Sequence, residues 1–198
     1  MNLKDVKIGF GVTGSHCTLK KVFQSALHLK EEGADLYPVF SPAVQSTDTR
    51  FGTAEDWRQK MEALSGKKVI TTIAEAEPIG PKKMLDVMVI APASGNTIGK
   101  LVNGIVDTPV LMAAKAHLRN GGPLIVAVST NDALGISGKN IGALCNMKNI
   151  YMVPFGQDDP MHKPNSIVAR MDLIAETIIS AIKGQQIQPI LIEYFKES

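Results

Sequence analysis

The chain has 198 residues, of which 44% are hydrophobic and 20% charged, with a formal net charge of +2. That balance excludes a disordered or fibrous chain, and so small a basic excess disfavours a nucleic-acid module. Two cysteines, Cys17 and Cys145, make neither a disulfide framework nor a four-ligand zinc site. The length suits one domain over residues 1–198, since single cores stop growing only past about 250 residues. No stretch reaches the ~18 apolar residues of a membrane helix. The opening MNLKDVKIGF lacks the apolar region of a secretory signal, so a reduced cytoplasm is expected.

Taken in chain order, short apolar runs alternate with helical stretches. Residues 6–12 read as a buried strand closed by Thr13-Gly14-Ser15. Residues 18–32 carry a helical stripe of Leu19, Val22, Phe23, Ala26, Leu27 and Leu29, with Gly33 as the stop. Asp35–Phe40 is a second strand, ending at Ser41-Pro42. Residues 55–64 form a charged helix with Trp57, Met61 and Leu64 on one side, and 69–72 a short strand. Residues 87–91 are almost wholly apolar, as a strand buried on both faces must be. Helices are expected around 99–103 and 110–120, with Pro109 starting the second. A strand over 123–128, a helical turn over 141–146 and a last parallel strand over 150–153 follow. Residues 166–183 read as one long amphipathic helix, and 190–192 as a short apolar tail.

This alternation implies a parallel sheet with helices on both faces. The irregular stretches 13–17, 41–54, 92–97, 129–140 and 154–165 follow strand ends. Ligands of open α/β sheets bind there, so these loops are site candidates by topology. The turn Gly9-Phe10-Gly11-Val12-Thr13-Gly14-Ser15 fits neither the dinucleotide fingerprint nor a P-loop. It suits a phosphate held by backbone N–H groups at a helix start, or a plain tight turn. His16 at its mouth is placed for proton transfer or is simply a polar residue entering a helix. Cys17 reads as a small core residue rather than a reactive thiol at a helix start. Ser41 either turns the chain or donates to the same anion. Ala91-Pro92-Ala93-Ser94-Gly95-Asn96-Thr97 leaves the most hydrophobic strand through small residues, which let a planar ligand approach the backbone. Asn96 or Thr97 would also cap the next helix. Asp158, Asp159 and His162 share one loop, too little for a metal site.

The segment APASGNTIGKLVNGIVDT resembles the P-A-S-A-N-T motif of the homo-oligomeric flavin-containing cysteine decarboxylase superfamily. The GVTGS loop and Ser41-Pro42-Ala43 resemble its other flavin contacts, and the similarity spans nearly the whole chain. The resemblance implies a Rossmann-like, flavodoxin-type doubly wound sheet in three α/β/α layers. It also implies FMN held by Thr13, Gly14, Ser15, Ser41, Pro92, Ala93, Ser94, Asn96, Thr97 and Ser129. Members form trimers or larger shells. Residues 154–160 and 163–166 resemble a branch found in spore-forming bacteria, where such a chain works in the mother-cell cytoplasm with a second, different chain that binds NADP. The implied reaction removes two electrons from a dihydropyridine dicarboxylate to give the aromatic ring, chemistry that a flavin supplies. His16 is then the nominee for taking the proton, with Lys139, Lys163, Ser137 and Asn131 for the carboxylates.

Two departures from the superfamily stand out. Its Pro-x-Met-Asn motif is replaced by Ser129-Thr130-Asn131-Asp132-Ala133-Leu134-Gly135, and residues 41–60 hold no histidine. Both argue against cysteine-type decarboxylation on a retained fold. A stand-alone decarboxylase or prenyltransferase, and a non-catalytic scaffold that has lost its flavin, are the alternatives.

Overall fold

A computed structural model describes residues 3–193. Five strands run parallel: β1 (Lys7–Val12), β2 (Asp35–Phe40), β3 (Val87–Ala93), β4 (Leu124–Thr130) and β5 (Ile150–Met152). Their spatial order is β2-β1-β3-β4-β5, the doubly wound order expected. β3 is buried at every position, and β4 at all but Thr130, because helices cover both faces. The order reverses between β1 and β3, so their carboxyl ends diverge and leave a crevice.

Helices α1 (Leu19–Glu31), α2 (Pro42–Ser46), α3 (Ala54–Ser65) and α4 (Ile73–Ala76) lie between the first three strands. α5 (Gly95–Val102), α6 (Pro109–Arg119), α7 (Gly138–Cys145) and α8 (Ile174–Ile182) complete the set. Local chemistry sets their starts. Thr53 and Asp56 form a reciprocal capping box on α3. Thr108 caps α6 with Pro109 in its first turn, as the sequence predicts. Gly33, just past α1, has φ +87°, a conformation glycine adopts without a Cβ clash. α6 packs across β1 to β4, while α1 and α8 pack on each other and on β3 to β5. Phe23 of α1 meets Trp57 of α3 with ring centroids 4.9 Å apart.

Several sequence expectations need correction, beginning with the stretches 41–54 and 154–165, which are not wholly irregular: the first holds α2 and the second a short strand at Phe155–Gly156. Residues 69–72 are not a strand: Ile70 makes one parallel bridge to Val39, and the ladder stops there. The Glu75 carboxylate takes the Thr71 and Thr72 N–H groups at 2.9 and 3.0 Å, turning the chain into α4. The helix expected at 99–103 starts earlier, at Gly95, because Ser94 accepts from the Thr97 N–H and is the cap in place of Asn96 or Thr97. α7 likewise starts three residues before the turn expected at 141–146.

Residues 166–183 are not one helix. Ile167–Ala169 form β7, antiparallel to β4 at Ser129 and Thr130 and to β6 (Phe155–Gly156). β5 pairs β4 only as far as Val126, which leaves the upper edge of β4 open for β7. Ile167 and Ala169 are buried and Val168 less so, a period of two hidden inside a helical spacing. Only from Ile174 does the helix begin. The tail 190–192 hydrogen-bonds both backbone groups of Phe155.

His117, at the end of α6, is 4% exposed, and its Nε2 has no partner among the described residues. Burial pushes its pKa below the usual 6.5, against a weaker upward pull from the Pro123 carbonyl. Below about pH 6.5 the unfolded chain therefore binds a proton that the folded chain refuses, so stability falls with acidification. His117→Gln is expected to flatten that slope in urea unfolding series between about pH 5 and 7. A Cβ on Gly122 would collide with the His117 ring at Nε2. Gly122→Ala should cost about 1–3 kcal/mol in the same assay.

Candidate functional site

The crevice above the β1/β3 reversal is built by side chains that tie one loop to another. The Thr13 hydroxyl, buried at the end of β1, donates to the Pro92 carbonyl at 2.6 Å and accepts from the Ser94 N–H at 3.0 Å. Ser15 donates to the Ser129 carbonyl at 2.6 Å, and Thr18 to the Ser129 hydroxyl at 3.3 Å. These bonds lash the first loop to β3 on one side and β4 on the other. The hydroxyls of Thr13, Ser15 and Ser129 are thus engaged within the protein, as is the Pro92 carbonyl, and Ala93 is buried beside them.

A cleft of about 430 Å³ remains between these loops. Gly14, Ser41, Ser94, Asn96 and Thr97 line it, together with Pro42, Ala43, Lys100, Thr108 and Leu111. Gly14 is required by close approach, because a Cβ there would sit 2.9 Å from that of Ala43. Ser41 is 6% exposed, and its Oγ has no hydrogen-bond partner among the described residues. A buried hydroxyl is seldom left so, which marks a place for a ligand acceptor or donor. Ser94 and Thr97 share a 3.0 Å contact, and Asn96 stands exposed beside them.

Lys100 brings a cation to the cleft, and Asp107 holds its Nζ at 2.6 Å. Neutral donors plus one partly compensated cation suit a singly phosphorylated, hydroxyl-rich ligand. The sequence reading missed Lys100, Thr108 and Leu111. One signal was available: Lys100 follows Asn96 by four residues, so the two share a helix face.

The other sequence candidates lie elsewhere. Asn131 accepts from Ser166 at 3.2 Å, and Ser137 is buried under Gly95. Lys163 is exposed, 3.7 Å from Asp158, and Lys139 is on α7. None of the four lines the cleft. His16 is half-buried, its Nδ1 enclosed and unpartnered among the described residues, and burial lowers its pKa, favouring the neutral ring.

A flavodoxin-like α/β sheet with a hydroxyl-rich cleft and one lysine at its topological switch point is an architecture suited to a mononucleotide. The comparison with known families agrees: the model described as Flavoprotein matches residues 1–183, and the chain belongs to that family. It is 53% identical over 195 residues to the B subunit of dipicolinate synthase from Bacillus subtilis (strain 168), covering 98% of each protein. The crystal structure of the B subunit of dipicolinate synthase from Bacillus halodurans C superposes with a TM-score of 0.90 at 51% identity, covering 98% of this chain and 100% of that one. The FMN binding protein AtHal3 shares the fold, with a TM-score of 0.67 at 20% identity over 93% of this chain and 100% of that one. Among the described residues no helix is long and apolar enough to cross a membrane.

Thr13→Val keeps the shape but removes both hydroxyl bonds and leaves the Ser94 N–H without its acceptor. We expect a loss of about 1–3 kcal/mol in denaturant unfolding, larger than for Ser46→Ala at the end of α2.

Proposed function

We propose that this chain is the B subunit of a dipicolinate synthase. It binds FMN in the cleft and works with an A subunit that carries NADP, in the cytoplasm of a spore-forming cell. The reaction takes a hydride equivalent and a proton from a dihydropyridine dicarboxylate and leaves aromatic dipicolinate. The high identity to proteins of that name over nearly full length supports the role. The single observation that carries the cofactor reading is the buried, unpartnered Ser41 hydroxyl on the cleft wall.

The residues present fit FMN. Ser41 and the backbone at Gly14 would hold the phosphate, with Lys100 supplying countercharge. Asn96, Ser94 and Thr108 offer donors and acceptors to the ring and its ribityl chain. When bound, FMN supplies two-electron acceptance, chemistry that no side chain provides. The protein's part is to shield the site and handle the proton. His16 is the proton acceptor in this reading: burial favours its neutral ring, and its Nε2, not the enclosed Nδ1, stands beside Gly14 at the edge of the cleft. A homo-oligomer, a trimer or a multiple of one, would close the open side of the cleft.

Titration with FMN, followed by visible absorbance and flavin fluorescence, is expected to saturate at one FMN per chain. Ser41→Ala and Asn96→Ala should each weaken binding by about 1–3 kcal/mol, roughly five- to 150-fold in Kd. A protein that stays colourless with excess FMN yet stimulates a purified A subunit would replace this reading with a scaffold role. Turnover without the A subunit would replace it with a stand-alone flavin enzyme.

A further inference from the structure

A second recess of about 510 Å³ lies on the other side of the first loop, between α1 and α3. His16 and Gly14 form the boundary: Gly14 lines the cleft and His16 the recess. His16 Nε2 lies 3.7 Å from where a Cβ on Gly14 would stand. The walls are aromatic and aliphatic, from Phe23, Phe51, Trp57, Leu27 and Leu64. Leu27 and Phe51 are 48% and 43% exposed and add apolar surface to these walls.

Two cations stand on these walls. Lys20 comes from α1 and Lys60 from α3, and Lys60 Nζ lies 4.9 Å above the Trp57 ring. Gln24 is a neutral donor beside them, and among the described residues no carboxylate lines the recess. Aromatic walls with two lysines and no acid among the lining residues suit a small planar ring bearing two negative charges. Lys139 and Lys163, which the sequence suggested for this task, do not line the recess.

We infer that this recess between α1 and α3 is a binding subsite for a planar ring dicarboxylate, with Lys20 and Lys60 each meeting one carboxylate over Trp57 and Phe23. The inference rests on the dipicolinate reading above for the identity of the ring. It adds a place for that ring across the His16 boundary, at the Gly14 end of the cleft where the phosphate would sit, so the recess captures the ring and does not present it to the flavin.

Trp57 is the single tryptophan, so its emission reports on this recess alone. The full chain, without FMN, is titrated with dipicolinate under excitation at the red edge of indole absorption. Saturable quenching is expected. Lys20→Gln and Lys60→Gln should each weaken it by about tenfold, and pyridine-2-carboxylate, with one charge removed, should bind weaker by a similar factor. The affinity should fall as salt is added. Both lysines are exposed, so the variants should fold; unchanged FMN titration confirms it.

Dihydro substrate and aromatic product share this chemistry, and kinetics of the two-subunit enzyme separate them. A raised KM with unchanged kcat in the lysine variants assigns the recess to substrate, and lost inhibition by dipicolinate assigns it to product. Either supports the subsite. No saturable quenching, or quenching indifferent to both lysines, overturns it. If quenching fails while the two subunits still turn over, the inference falls alone. If dipicolinate binds at Trp57 but no FMN is taken up, the function reading falls and the subsite stands.

Discussion

The Thr13 hydroxyl is the contact on which the rest of the upper sheet edge depends. Buried, it uses its proton on the Pro92 carbonyl and its lone pair on the Ser94 N–H. A parallel sheet that reverses its order pulls two loops apart, and nothing in the strand ladder holds them in register above the last paired residues. One side chain with both a donor and an acceptor does so here. Ser15 and Thr18 repeat the device toward β4. Each bond exchanges a polar group's water for a partner in a drier place, where leaving it unmade is costly.

That lashing divides the hydroxyls into two sets. Thr13, Ser15, Thr18 and Ser129 build the edge, and their bonds are internal. Ser41 is as deeply placed but has no partner among the described residues, and Asn96 and Lys100 face the same cleft. Only the second set lines the cleft with groups not spent on tying the loops together. The difference is invisible in composition, because both sets are small polar residues at strand ends. It follows from which groups the neighbouring strands bring within about 3 Å.

The two recesses flanking the first loop differ in chemistry. The cleft is walled by hydroxyls and amide with one cation held by Asp107. Its neighbour is aromatic, with two lysines and, among the described residues, no acid. His16 stands between them, its pKa lowered by burial. A neutral imidazole can accept a proton without first losing one, whereas an exposed histidine near pH 6.5 would be half charged.

The strands β1 to β5, their order class and the main loops were legible because two-sided burial demands uninterrupted apolar runs, as in 87–91. The Pro109 helix start and the Gly33 stop were legible because their causes are local. The family resemblance was carried by residues 91–108, and five of the residues it pointed to line the cleft: Gly14, Ser41, Ser94, Asn96 and Thr97. The hairpin of β6 and β7 was not legible. Its spacing of Ile167, Met171 and Ile174 satisfies a helix, and only the open edge of β4 chooses a strand. Nor was the second recess, since Lys20 and Lys60 read as solvated charges on separate helices until α1 and α3 pack side by side. Sequence alone therefore determined what depends on neighbours along the chain: periodicity, caps and turns. The tertiary structure decided which polar groups are spent on the fold and which are left over, because that choice belongs to atoms distant in sequence and adjacent only after folding.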